Sequence, residues 1–137
     1  MFETILVAVD GSERAERAAD LAVGLGAEHG ATVHGVYVVD TGLLGEPALS
    51  SAELSVDAVE DFGHEVLDDV ASTAAERDVE FVTRVCHGIP KEEILDYAEE
   101  IDADLVVVGA FGNNPGHRTG SVAEHVVKNA PRRVLKV

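Results

Sequence analysis

Short runs of β-branched residues alternate along this chain with longer amphipathic ones, and that alternation limits the fold more than any other feature. TILVAVD (4–10), ATVHGVYVVD (31–40), VEFVTRV (79–85), DLVVVG (104–109) and the closing RVLKV read as strands. Between them lie helical patterns. Ser12 stands where it can cap a helix carrying Ala18, Leu21, Ala22 and Leu25 at helical spacing. Val59, Phe62, Val66 and Val70 mark one face of a long second helix, and Pro90 suits the first turn of a third, which carries Ile94, Ala98 and Ile101. Val122, Val126 and Val127 mark a short fourth helix before Ala130-Pro131. The stretch TGLLGEPALSSAELS (41–55) has the weakest periodicity and reads as a mobile excursion.

The resulting order is β-α-β-α-β-α-β-α-β. Strands apolar on both faces and joined by helices imply a parallel sheet between two helix layers, an α/β doubly wound fold. Right-handed crossovers then place ligands beyond the carboxyl ends of the strands, where strand order reverses. At 137 residues the chain reads as one domain, spanning 1–137, that removes roughly two-thirds of its unfolded surface from water.

Charge narrows the partners. Asp and Glu number 26 against 10 Lys and Arg, a net charge of −16, which repels phosphate backbones and anionic membranes. Nucleic acid and membrane are therefore not expected as partners. The acids are spread along the whole chain, which favours a protein kept soluble in concentrated salt, a halophilic pattern, over an acidic patch for one basic partner. A single cysteine, Cys86, excludes an intramolecular disulfide. With no basic n-region at the start and no apolar run long enough to span a membrane, a cytoplasmic location is expected.

The polar and glycine residues fall at the strands' carboxyl ends: Asp10-Gly11-Ser12, Asp40, His87-Gly88 and Gly109. Asp10 admits two readings, an acceptor for ribose hydroxyls or a base, and an acid favoured by the dipole at a helix start. After the fourth strand comes GAFGNNPGHRTGSVAE, in which Gly109 and Gly112 let backbone approach a ligand and Ser121 with Glu124 fits a capping box. A helix N-terminus with free amides suits phosphate, although a cap alone explains Ser121 equally. Neither a P-loop nor a GxGxxG fingerprint is present. The histidines lack metal-ligand spacing, with His87 and His117 read as solvated loop residues. Cys86 has no general-base partner and reads as a small buried strand-end residue. No catalytic group is assignable, so a ligand site without turnover is expected.

Taken in order, VDGS, the G-x-P-x-E-x-I of Gly88 to Ile94, and the ending GSVAE…AP…VL resemble the universal stress protein family from end to end. The resemblance implies a five-stranded sheet of order 3-2-1-4-5, the adenine-nucleotide alpha-hydrolase-like fold, with a nucleotide pocket at the strand 1/strand 4 switch point. It also implies a homodimer through the last strand. It assigns Asp10 to the adenosine, Val38 to packing beside adenine, and Gly109, Gly112, Gly120, Ser121 and Val122 to the phosphates of ATP. The acidic composition opposes a triphosphate unless Mg²⁺ or Mn²⁺ accompanies it. One departure stands out: Gly112 and Gly120 enclose NNPGHRT, two residues fewer than the family spacing, with Pro115 removing an amide donor. The expected function is a stress-response module switched by an adenine nucleotide. A nucleotide-free dimeric scaffold is the alternative, a weak ATP hydrolase comes third, and a metal-dependent redox role for Cys86 and His87 comes last.

Overall fold

The computed structural model describes residues 2–40, 49–109 and 125–137, with side chains in the middle stretch from residue 57 onward. Its strands are β1 (Thr4–Val9), β2 (Thr32–Asp40), β3 (Phe81–Gly88), β4 (Leu105–Val108) and β5 (Arg133–Lys136). The helices are α1 (Glu13–His29), α2 (Leu49–Glu76) and α3 (Pro90–Glu100), with a further helical stretch at 125–129. All pairings are parallel, as the alternating pattern implies, and the sheet order is β3-β2-β1-β4-β5, as the family resemblance implies. Helix α2 begins at Leu49, so residues 49–55 are helical rather than part of an irregular excursion; 41–48 lie outside the described residues.

Alternation along each strand splits the core in two. Ile5, Val7, Val9, Val33, Val39, Leu105 and Val107 face α1 and α2. Leu6, Val36, Val106 and Val108 face α3, Val126 and the turn before β5. Each fully buried aliphatic side chain here contributes about 1.5–3 kcal/mol of transfer free energy.

Helix α1 meets the sheet through a stripe of small residues, Ala15, Ala18, Ala19, Ala22, Val23 and Gly26. That stripe draws the helix close and turns Leu21 outward, where it is 39% exposed rather than in the core. Similarly, the buried stripe of α2 runs through Leu67 and Ala74, flanked by Val59, Val66 and Val70. Phe62 sits at its margin, 43% exposed, with its ring edge-on to Tyr37 at 6.1 Å. Val127 is exposed as well, while Val126 takes the buried position.

Two side chains tie distant parts of the fold together. The Asp104 carboxylate accepts from the amides of Glu3 and Thr4 at 2.8 and 2.9 Å, fixing the start of β1 beside β4. Those two backbone bonds hold the Asp104 carboxyl below its usual range. Arg132 donates to the carbonyls of Ala98 and Ala103 at 2.8 and 3.0 Å, placing a cation at the C-terminal end of α3. The Arg132 guanidinium is thus engaged within the chain rather than offered to a partner.

Candidate functional site

Strand β1 has β2 on one side and β4 on the other, so the order reverses between β1 and β4. Chain connections leave the two strands on opposite faces there and open a crevice at the carboxyl ends. Asp10 and Gly109 flank it.

On the β1 side, the turn into α1 is built by its own side chains. Asp10 Oδ1 accepts from the Ser12 amide at 2.9 Å, and Gly11 between them has φ 83°, a region that favours glycine. Ser12, only 2% exposed, caps the helix: its Oγ accepts from the Ala15 amide at 3.1 Å. Both readings of Asp10 therefore start from a carboxylate held in place by a backbone bond at the crevice.

Gly109 has a packing reason for its missing side chain. A Cβ there would lie 3.1 Å from both the Ala15 nitrogen and the Arg14 carbonyl carbon, against the first turn of α1. Close approach to this helix, as well as to a ligand, favours glycine at the end of β4. Gly112, Gly120, Ser121 and Val122 lie outside the described residues, as do His117 and the capping box with Glu124.

Val38 is only partly buried. It packs on the α3-side core with Ala8 and Cys86, next to Val36 and Val108, which are fully covered. Ala8 and Val38 thus form a half-covered apolar floor near the ends of β1 and β2, with Asp10 beyond β1. Among the described residues, no group of three or more His, Cys, Asp or Glu is arranged to hold a metal ion.

One neighbour escaped the sequence reading. Tyr37 sits opposite Val9 in register, with its ring on Gly63 and Phe62 of α2. Burial pushes its phenol up, and the Asp10 charge adds in the same direction, so the two groups share a local field. The available signal was an aromatic in an otherwise aliphatic strand; its meeting with Asp10 depends on strand register.

His87 is a correction. It belongs to β3 rather than to a solvated loop, and its Nε2 lies 3.1 Å from Glu60 Oε2 of α2. Cys86, half-buried in β3, lines a shallow polar pocket with Arg84, Glu93, Asp96, Tyr97 and Glu100. Burial pushes the thiol up, and the Glu93 carboxylate acts in the same direction against Arg84. A thiol held protonated is a poor nucleophile, which argues against redox chemistry there.

Comparison with known proteins agrees with this architecture. The family model for the universal stress protein family matches residues 1–137. A universal stress protein of Methanocaldococcus jannaschii is 38% identical over 100% of this chain and 82% of its own length. The structure of one from Lactobacillus plantarum is 36% identical, covering 98% of this chain and 97% of that one at a TM-score of 0.81. One from Archaeoglobus fulgidus, solved in complex with dAMP, is 26% identical, covering 98% and 96% at a TM-score of 0.70. The strand order, the crevice beside Asp10 and these matches make this chain a member of the universal stress protein family.

Proposed function

We propose that this chain binds an adenine nucleotide, ATP foremost, in the crevice between β1 and β4, and acts as a ligand-dependent switch rather than through turnover. The observation that carries the reading is the half-covered floor of Ala8 and Val38 beside a fixed carboxylate, at the switch point of the sheet. Such a floor removes one side of a planar base from water, and Asp10 accepts hydrogen bonds from ribose hydroxyls or an exocyclic amine. The dAMP complex of the Archaeoglobus fulgidus relative supports the same ligand class.

The residues fit the nucleoside end. For the phosphates, the assignment of Gly109, Gly112, Gly120, Ser121 and Val122 rests on the sequence motif and on family membership. Bound nucleotide supplies a concentrated negative charge. In a chain of net charge −16, Mg²⁺ or Mn²⁺ would enter with it to offset repulsion.

Calorimetric titration with ATP, ADP and AMP, with Mg²⁺ in concentrated salt, tests the proposal. Heat of binding and a raised melting temperature are expected. Neither appearing would favour the second reading, a dimeric scaffold without nucleotide. That reading has its own observation: β5 is an edge strand with Leu135 exposed and Val134 partly covered. Homodimerisation through β5 belongs to both readings, and sedimentation in concentrated salt showing only monomer would refute it.

A further inference from the structure

The other edge of the sheet is long and, among the described residues, open. The Glu80 carbonyl accepts from the Val33 amide at 2.9 Å, and the register runs unbroken from Val33↔Phe81 to Asp40↔Gly88. Backbone groups alternate sides along a strand, so Phe81, Thr83, Val85 and His87 turn their N–H and C=O groups away from β2. Among the described residues, nothing pairs with that row.

Sheets commonly blunt such an edge with lysine, proline or a bulge. Strand β3, FVTRVCHG, has none of these. Its one Lys or Arg is drawn back onto α3: the Arg84 guanidinium sits 4.5 Å over the Tyr97 ring and bonds Glu100 at 2.6 Å. The charge flanking the strand is one-sided. Residues 57–76 of α2 carry seven acids and no Lys or Arg, and α3 carries five acids against Lys91. These helices cover opposite faces of the sheet, so β3 lies exposed at the margin between two acidic surfaces.

We infer that the β3 edge receives an extended segment of a partner protein, rich in lysine or arginine, which adds as a sixth strand. Backbone pairing supplies the geometry; the acids spread over the chain serve solubility in salt, and those of α2 and α3 that flank β3 select the charge at contact range, where screening is weakest. A second copy presenting the same edge would bring like charges together.

The test is an NMR titration of the ¹⁵N-labelled protein, in salt that keeps it folded, with a short acetylated peptide alternating lysine and valine. Shifts and slowed exchange are expected at the amides of Phe81, Thr83, Val85 and His87. The same peptide with its backbone amides N-methylated throughout keeps its charge but loses every backbone donor, so its affinity should fall about tenfold or more. Thr83→Pro removes an outward-facing N–H and should cause a comparable loss with melting unchanged. Equal binding of the N-methylated peptide, shifts spread over the acidic helices without those four amides, or no binding of the lysine peptide would each overturn the inference. So would self-association through this edge in the unliganded protein. If Thr83→Pro does not fold, the N-methylated peptide decides alone.

Discussion

The two faces of the sheet solve the same packing problem differently. Under α1 and α2 the strands present Ile5, Val7, Val33 and Val39 at 0% exposure, with Val9 and Val107 beside them, and the cover is continuous along the strands. Under α3 the buried row is shorter, and toward the carboxyl ends it gives way to Ala8 and Val38, only partly covered. The closed face holds the fold; the open face leaves apolar surface next to Asp10. A protein that must both stay folded and bind a base can divide those tasks between the two sides of one sheet.

Removing salt should strain this division most. Residues 57–76 of α2, covering the closed face, include seven acids and no Lys or Arg, so screening by salt relieves much of their self-repulsion. We expect circular dichroism to show loss of structure as salt is diluted; full structure at low salt would sink the salt-adaptation reading. Next in size, Leu67→Ala on the closed face should cost about 2–5 kcal/mol in urea unfolding while leaving nucleotide affinity intact. Val38→Ala should show the reverse. Its stability cost should be about 1 kcal/mol or less, with affinity for ATP lowered about tenfold. If Val38→Ala proves as destabilising as Leu67→Ala, the distinction between faces fails.

The smallest expected effect is a pH dependence on the α3 side. His34 Nδ1 lies 3.1 Å from the Tyr97 hydroxyl, and burial lowers its pKa below the ordinary imidazole value against an opposing pull from Glu80. A depressed imidazole pKa means the folded state favours the neutral ring. Stability should then be full above about pH 6.5 and decline as pH falls through that value toward the folded pKa. Melting curves of wild type and His34→Gln between about pH 7 and 5 should diverge, with the wild type losing more. Parallel curves would remove His34 from the account.

Much of this was legible in the residues. The strand runs marked the sheet because β-branched residues stand in unbroken runs there, whereas in the helices they recur singly at helical spacing, and Asp10-Gly11-Ser12 announced a turn into a capped helix. Helix faces were harder to read. The expected faces hold at Ala18, Ala22, Val59, Val66 and Val70, but Leu21 and Phe62 carry more apolar surface than the close approach of the helices to the sheet admits, and they lie at the margin. The partnership of Arg132 with α3 and the approach of Tyr37 to Asp10 were beyond reach, because both are set by pairings between segments far apart in sequence. The glycine at 109 was found for one reason and has another, the first turn of α1 lying against it.

The bond from Asp104 to Glu3 and Thr4 joins residues 101 and 100 positions apart, at the centre of the sheet rather than at its margin. During synthesis β4, one of the two neighbours of β1, emerges about a hundred residues after it. Until then the backbone edge of β1 that pairs with β4 has to wait. A high-contact-order fold of this kind gathers slowly and is exposed to aggregation meanwhile. We expect stopped-flow refolding to be slowed by Asp104→Asn more than unfolding is accelerated, if this closure belongs to the rate-limiting step; the opposite partition would place it after the barrier.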